Sequence, residues 1–411
     1  VRGLHIRPGD GEGQDPDNRD GMMVGTTDYA IENIIIDHNS FEWALDENLS
    51  IQGNVHNATV SNNIIAEGLS NSIHSKGEHS KGLIISNWSQ DDSDAVGNIS
   101  VVKNLMSSNV QRNPEVRAGQ DIEIINNYTY NYGRSHRVYA VGGGSEGTLV
   151  TSVDIIGNVI TPGPSSQNYK VPMSIDEMAE GSRVVLQDNL WTKLGTDADG
   201  NQDQSDLFWD FGGEQFVVFG GATGSGMVDI LDSQDVVDYV LANVGAAPGQ
   251  RDSVDQRIID EAANGTGEII DTVEEAGGPA KNSGAEAPAD SDLDGMPDWF
   301  ETLYGFDPKA WDANGDTDGD GFTNLEEYIN GLITGFDTPL AGALDDATTE
   351  EVGGVTYTRL SDLDAPVDLS GFAGGKIDVS ALLENFDPET DDITNFVEIA
   401  RINGNSYISI D

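Results

Sequence analysis

The first half of the chain repeats one phrase: a short run rich in isoleucine and valine, an asparagine, and a second short apolar run. Examples are "IENIIIDHNSF", "GQDIEIINNYTYN" and "SRVVLQDNLW". Such short β-branched runs are typical of strands, and asparagine tolerates the left-handed bends that join strands. The asparagines that mark the repeat are Asn39, Asn63, Asn104, Asn127, Asn158 and Asn189, separated by 24, 41, 23, 31 and 31 residues.

This repeat predicts a solenoid. The short spacings match one coil, and the longer ones match a coil that carries an inserted loop. Asparagines of successive coils can stack on one another. We therefore predict an all-β fold over residues 1–276, a right-handed parallel β-helix. Its N-terminus is expected to be incomplete, because "VRGLHIRPGD" reads as the inside of a strand. An antiparallel sandwich is the alternative, although two-residue hairpin signals are scarce.

Two segments near the end of the solenoid have a helical pattern. "DSQDVVDYVLANVG" and "DSVDQRIIDEAANGTG" begin with Asp and Ser, end with Gly, and carry apolar residues at helical spacing. These signals predict two amphipathic helices. We expect them to pack on the side or the end of the solenoid.

Charge and composition limit the possible partners. The chain has 72 acidic and 20 basic residues, which gives a net charge of -52. This balance excludes binding to nucleic acid or to an anionic membrane through bulk electrostatics, and it suits Ca²⁺, which prefers clustered oxygen ligands. The chain has no cysteine, which excludes disulfides and thiolate metal sites. No segment approaches the roughly 20 apolar residues of a membrane span.

The remainder of the chain divides by composition. Residues 277–289 have the composition of a linker. Residues 290–335 are rich in acids, and residues 336–411 are predicted to form a small β-rich domain.

Two acidic loops follow the spacing of EF-hand-like calcium loops. "DSDLDGMPDWFE" and "DTDGDGFTNLEE" each place acids at loop positions 1, 3 and 5, Gly at 6 and Glu at 12. Alternate acids place their oxygens on one side of a tight turn, and the Glu closes the shell. The loops resemble thrombospondin type 3 and dockerin-like repeats, and a solvated acidic linker is the alternative. The predicted structural calcium ligands are Asp290, Asp292, Asp294, Asp298, Glu301, Asp316, Asp318, Asp320, Asn324 and Glu327.

Two further stretches point to chemistry. "FEWALDENLSI" holds Glu42 and Asp46 among apolar residues, and "SSNVQRNPEVRAG" holds Arg112 and Arg117 beside a proline. Carboxylates that converge on a cation, opposite guanidinium groups that fork carboxylates, would form a clamp for an acidic sugar. The alternatives are a solvated acidic rim and structural salt bridges.

Residues 1–276 also resemble the pectate lyases of polysaccharide lyase family 1. The resemblance is carried, in order, by "LHIRPGD", "IIIDHNSFEWALDENLSI", "IIAEGLSNSIHSKGEHSKGLIIS", "RNPEVRAG" and "GQRDSVDQRIIDEAANGTGEIID". It implies a right-handed parallel β-helix and calcium-dependent β-elimination of polygalacturonate. The other functional alternatives are a lyase for another uronate polymer and a non-catalytic polysaccharide-binding adhesin.

The resemblance also implies roles for individual residues. Arg112 corresponds to the proton-abstracting arginine, and Arg117 and Lys81 correspond to substrate-binding residues. Asp20, Glu42 and Asp46 correspond to the calcium-binding acids. An arginine that accepts a proton requires burial and nearby cations, because a free guanidinium has a pKa above 12. The alternative is a charged Arg112 that stabilises the enolate electrostatically.

The sequence of the C-terminal region suggests a targeting signal. "GGKIDVSALLENFDPETDDITNFVEIARINGNSYISID" resembles the targeting region of type I secretion substrates, and a carbohydrate-binding β module is the alternative. Together with the calcium loops and the strong acidity, it predicts a secreted protein that folds in external calcium. We expect a monomer whose partners are calcium and an acidic polysaccharide.

Overall fold

The computed structural model describes two compact units, Val1–Lys281 and Asn282–Asp411. Side chains are described up to residue 333, except for Leu303 and the gaps below. Beyond residue 334 only the backbone of five short strands is described. The gaps before residue 335 are 14, 89–95, 134–137, 145–146, 167–170, 195, 197–199, 223–225, 227, 250 and 281–287.

The first unit is a stack of parallel strands. Every strand pair between its first and last strand is parallel, which makes the antiparallel sandwich wrong. The strands are β1 (His5–Ile6), β2 (Met22–Asp37), β3 (Ser40–Glu42), β4 (Glu47–Ser61), β5 (Ile64–Ala66), β6 (Lys81–Ser86), β7 (Gly97–Val102), β8 (Leu105–Ser107), β9 (Glu115–Arg117), β10 (Gln120–Ile125), β11 (Tyr128–Tyr130), β12 (Tyr139–Gly142), β13 (Ser152–Ile156), β14 (Val159–Thr161), β15 (Met173–Asp176), β16 (Arg183–Gln187), β17 (Leu190–Trp191), β18 (Phe208–Phe211) and β19 (Val217–Phe219).

The strands line three faces of a β-helix. Face 1 consists of the first halves of β2 and β4 followed by β6, β9, β12, β15 and β18. Face 2 consists of the second halves of β2 and β4 followed by β7, β10, β13, β16 and β19. Face 3 consists of β1, β3, β5, β8, β11, β14 and β17. The chain visits the faces in the same order on each turn, so the predicted parallel β-helix is confirmed.

The predicted asparagine stack lies inside the turn between face 2 and face 3. Each Asn side chain donates from Nδ2 to Oδ1 of the Asn in the next coil, at 2.9–3.0 Å, from Asn39 to Asn189. Asn189 donates in turn to Oε1 of Gln204, which ends the stack. All six asparagines are buried. Each of these side chains also forms hydrogen bonds with backbone groups of neighbouring coils. The stack therefore fixes how each coil is aligned on the next.

The left-handed bend of this turn lies one residue before each stacked Asn. His38, Asn62, Lys103, Asn126 and Asp188 have φ between 49° and 56°, and Gly157 has a φ of 62°. The bend therefore accepts several residue types, whereas the following position is always asparagine. The recurring geometry of this turn therefore depends on the hydrogen bonds of the stacked amides and not on the tolerance of asparagine for a positive φ.

Two hydrophobic layers hold the first unit together. The interior of the solenoid is filled by aliphatic side chains that repeat from coil to coil, such as Ile51, Ile85 and Val116. Outside face 3, the helices α1 (Val236–Asn243) and α2 (Ser253–Asn264) cover a second layer that includes Trp43 and Tyr128. The predicted helices are present. Asp252 caps α2 by accepting from the backbone N–H groups of Val254 and Asp255.

The second unit begins with two helices. Helices α3 (Asp298–Tyr304) and α4 (Asn324–Thr334) pack around buried Phe300 and Met296. The strands beyond are β20 (Thr348–Val352), β21 (Val355–Arg359), β22 (Lys376–Asp378), β23 (Val397–Ile402) and β24 (Asn405–Ile410). Most of the predicted domain at 336–411, and of the linker at 277–289, lies outside the described residues. Within the described part of the chain, no helix has the length and apolar character needed to cross a bilayer.

Candidate active site

Face 1 gathers charged side chains from three consecutive coils. Glu47 begins β4 and pairs in register with Lys81, which begins β6. Arg112 precedes β9 and Arg117 ends it. Parallel stacking of these strands, about 4.8 Å apart, brings residues that are far apart in sequence onto one surface.

Three carboxylates converge at this surface. Asp20, Asp46 and Glu47 each offer an oxygen, and these oxygens lie within 4.8 Å of one another. Burial, together with the charge of Asp46, raises the pKa of Asp20 to about 6. Clustered hard oxygens of this kind are compatible with a divalent cation such as Ca²⁺.

Basic groups surround Asp46. Its Oδ1 lies 2.5 Å from Nζ of Lys81 and 2.7 Å from Nε2 of His79. His79 stacks on His74 with ring centroids 3.7 Å apart. Burial favours the neutral acid, but the hydrogen bonds from His79 and Lys81 outweigh it and hold the pKa of Asp46 well below its usual range. Asp46 is therefore an anion that links the acidic cluster to the basic groups.

Arg112 is held between two acids. Its side chain forms ion pairs with Glu47 and, at 2.8 Å, with Glu115. Its backbone carbonyl accepts from the N–H of Leu83 at 2.6 Å, and its φ is 63°. Burial lowers the pKa of Arg112; the charge of Glu115 opposes this shift, and that of Arg117 reinforces it. The guanidinium is thus fixed, partly desolvated and less basic than a free arginine.

Arg117 is more open to solvent. Its Nε donates to Oε1 of Glu115 at 2.9 Å, and its side chain remains 36% exposed. Glu115 therefore bridges Arg112 and Arg117. Because part of its guanidinium faces solvent, Arg117 can contact an incoming carboxylate while it remains paired with Glu115.

Glu42 lies in a different network. It ends β3 on face 3, is fully buried, and accepts from Nε of Arg7 at 2.8 Å. Burial and the charge of Asp255 raise the pKa of Glu42 well above its usual value. The chain turns from face 3 to face 1 between Glu42 and Asp46, so the structure does not bring Glu42 to the cluster formed by Asp20 and Asp46. Glu47, and not Glu42, is the third carboxylate of this cluster.

The sequence did not assign Glu47 to the site, and it indicated no more for His79 than a cleft or loop residue. Glu47 follows Asp46 directly, and neighbouring residues of a strand point to opposite sides. Here β4 begins only at Glu47, so Asp46 lies in the turn and both carboxylates reach the same cluster. His79 belongs to the loop between β5 and β6, and only the three-dimensional contact with Asp46 reveals its part in the site.

The first acidic loop of the second unit surrounds a buried carboxylate. Both carboxylate oxygens of Glu301 are buried and, among the described residues, have no hydrogen-bond partner. Its oxygen lies within 4.8 Å of oxygens from Asp294 and Asp312. Burial, with the charges of Asp292 and Asp294, raises the pKa of Glu301 to about 7. A buried carboxylate surrounded by acids is costly without a cation, so these residues fit Ca²⁺.

The residues at loop position 9 have another contact. Asp298 accepts from the backbone N–H and the hydroxyl of Ser291, and Asn324 accepts from the N–H of Thr317. These bonds close the two loops in the same way. Of the other predicted ligands, Asp290 and Asp316 accept from backbone N–H groups within their loops, at distances of 2.8–3.2 Å.

We expect the Glu301→Gln substitution to weaken calcium binding by about tenfold or more at one site, because it removes the charged ligand that closes the shell. Isothermal titration calorimetry of the full chain with CaCl₂ measures this change. The exposed residue Glu268 provides the control: Glu268→Gln should leave the calcium isotherm unchanged. An unchanged isotherm for Glu301→Gln would show that the first loop does not hold calcium through this carboxylate.

The fold and the site together define a parallel β-helix protein with a cluster of acidic and basic side chains on one face. Curated relatives identify the family. The probable pectate lyase C of Aspergillus flavus is 32% identical over 341 residues, which cover 81% of this chain and 72% of that protein. The probable pectate lyase C of Emericella nidulans is 31% identical over 346 residues, covering 81% and 70%. The chain belongs to the pectate lyase family.

Other comparisons add little to this conclusion. No family model matches the chain. A pectate lyase solved in work on substrate specificity and the anti β-elimination mechanism is 19% identical, with a TM-score of 0.35 over 52% of this chain and 51% of that one. A pectate lyase bound to a hexasaccharide is 18% identical, with a TM-score of 0.34 over 52% and 50%.

Proposed function

We propose that this chain is a secreted, calcium-dependent pectate lyase that cleaves polygalacturonate by β-elimination. The single observation that supports this proposal best is the close approach of three carboxylates to a desolvated arginine on face 1. Asp20, Asp46 and Glu47 would hold the calcium ion, with Glu47 in the place that the family resemblance gives to Glu42. Calcium bound there would withdraw electrons from the uronate carboxylate and make the neighbouring C5 proton more acidic.

Substrate binding is assigned to the basic groups on either side. Arg117 is partly exposed and can pair with a uronate carboxylate, and Lys81 lies at the edge of the acidic cluster. Burial lowers the pKa of Lys81, although its hydrogen bond to Asp46 opposes the shift. A fixed pair of cations would orient the acidic sugar relative to Arg112.

Arg112 is the proposed base. In its neutral form it takes the C5 proton, the electron pair of that bond forms the C4–C5 double bond, and the bond between C4 and the glycosidic oxygen breaks. The leaving oxygen takes a proton from solvent water, an unsaturated uronate remains, and Arg112 returns its proton to solvent. Glu47 cannot pair fully with Arg112 and with a cation at once, so filling the acidic cluster would weaken this ion pair and lower the pKa of Arg112 further.

The substitutions Glu47→Gln and Glu42→Gln test this ligand set. We expect Glu47→Gln to raise the calcium concentration for half-maximal activity by about tenfold or more, because it removes a charged ligand from the cluster. Glu42→Gln should shift it less than about twofold, since Glu42 is buried beside Arg7. The assay follows the ultraviolet absorbance of unsaturated uronates from polygalacturonate during a calcium titration.

Three outcomes contradict parts of the proposal. An equal shift in both variants would return Glu42 to the ligand set. Activity that persists in excess EGTA would remove the calcium requirement. Polymer binding without any unsaturated product would favour a polysaccharide-binding adhesin, and a panel of other uronate polymers separates that result from a different substrate choice.

A further inference from the structure

A pocket extends face 1 beyond Arg117, on the side away from the acidic cluster. Its volume is about 390 Å³, within the usual range of small-ligand pockets. Glu115 and Arg117 line its near end, and Asp176, Glu177 and Phe211 line its far end. The pocket therefore opens directly onto the candidate active site.

The floor of the pocket consists of small residues. Ala140 and Gly142 of β12 lie in register with Glu115 and Arg117 of β9. Three strand spacings, about 14 Å in all, separate β9 from β18 at the far end. The short side chains at β12 leave space for a pyranose ring between the two ends of the pocket.

The charge of the pocket changes sign along its length. At the near end the guanidinium groups of Arg112 and Arg117 share the carboxylate of Glu115, which leaves positive charge there. Asp176 and Glu177 provide carboxylates at the far end. A uronate carboxylate is attracted to the guanidinium groups and repelled by the two carboxylates at the far end. The hydroxyl groups of an uncharged sugar, in contrast, can donate hydrogen bonds to carboxylates. The far end of the pocket therefore repels the uronate carboxylate that the near end attracts.

Aromatic rings add to this selection. Phe211 and Trp209 of β18 are each 43% exposed, and their ring centroids lie 6.0 Å apart in an edge-on arrangement. Exposed aromatic rings bind apolar surface, such as the C–H face of a sugar or a methyl group. Phe211 also pairs in register with Asp176 on the neighbouring strand. The ring and the carboxylate would therefore contact the same part of a ligand.

We propose that the far end of this pocket is a subsite for an uncharged, methyl-esterified galacturonate unit. This inference rests on the proposed function, because it requires a de-esterified unit at Arg117. The enzyme would then prefer partly esterified chains, in which a charged unit is followed by a neutral one, to fully de-esterified polygalacturonate.

The test compares kcat/KM on the two polymers, measured by the absorbance of unsaturated product. Wild-type protein should favour the partly esterified polymer. Glu177→Gln should shift the ratio toward the de-esterified polymer by roughly two- to fivefold, the effect of one exposed charge. Glu180→Gln removes an equal charge from a nearby exposed residue outside the pocket and should leave the ratio unchanged.

A second pair of variants tests the aromatic wall. Phe211→Ala should lower kcat/KM on the partly esterified polymer by roughly two- to tenfold. Phe219→Ala, an exposed ring on face 2, should not. Thermal unfolding of each variant identifies any loss of fold.

The subsite is overturned if Glu177→Gln leaves the ratio at its wild-type value. It is equally overturned if Glu177→Gln lowers activity on the de-esterified polymer, since the carboxylate would then assist a charged unit. These results keep the lyase activity itself intact. Absence of product from both polymers would instead remove the proposed function, and the subsite with it.

Discussion

Replacing Arg112 with glutamine is expected to lower kcat on polygalacturonate by about 10²- to 10⁴-fold, the usual contribution of a general base. Glutamine keeps hydrogen-bonding capacity but cannot accept the C5 proton. The effect should fall on kcat and leave KM within about threefold, because Arg117 and Lys81 remain to bind the substrate. Steady-state kinetics at saturating calcium measure both quantities.

Arg112→Lys separates position from charge. Lysine retains a cation but cannot hold the ion pairs to Glu47 and Glu115 with the geometry of a planar guanidinium. We expect its kcat to be nearly as low as that of Arg112→Gln. Arg183→Lys, at an exposed arginine paired with Asp154, is the control and should keep wild-type activity. A kcat near wild type in Arg112→Lys would mean that the reaction does not require the planar geometry of the guanidinium.

The second large effect concerns stability. Asn127→Leu is expected to lower the free energy of unfolding by about 3–5 kcal/mol, because it leaves several buried polar groups unpaired. Asn127 donates to the carbonyl of Val101 and to Asn158, and it accepts from both the backbone and the side chain of Asn104. Leucine has the same branching and the same number of side-chain heavy atoms as asparagine, so most of the loss reports on hydrogen bonding. Urea unfolding followed by circular dichroism measures it.

Asn57 provides a matched control for Asn127. It belongs to a second stack on the surface, where it contacts Asn33 and Asn98 while exposed to solvent. Asn57→Gly preserves the positive φ of 55° and should change the free energy of unfolding by less than about 1 kcal/mol. Equal losses in the two variants would show that burial does not set the strength of the asparagine stack.

The fold could be predicted because its signal is local and repeated. Each coil carries the same short apolar strands and the same asparagine, so one pattern specifies the whole solenoid. The position of the bend could not be predicted in the same way. Asparagine suits both a left-handed bend and a buried amide stack, and only the coordinates show that His38 and Lys103 take the first role while Asn39 and Asn104 take the second.

The candidate site was predicted less completely, because it depends on where the chain turns. Arg112, Arg117, Lys81 and Asp46 do lie together on face 1. Glu42 was assigned to the calcium site from the family resemblance, yet the turn between faces separates its side chain from that of Asp46. Contacts between coils, such as that of His79 with Asp46, depend on the path of a loop that no short-range pattern specifies.

The uneven spacing of the asparagine stack has a consequence for how such an enzyme can diversify. The longest interval, from Asn63 to Asn104, contains the loop with His74 and His79, yet the two asparagines still bond at 2.9 Å. Changes in the length of that loop can therefore leave the stacked strands of the β-helix in place. Insertions and deletions can alter the loop near a bound polymer, while the strands continue to stabilise the fold.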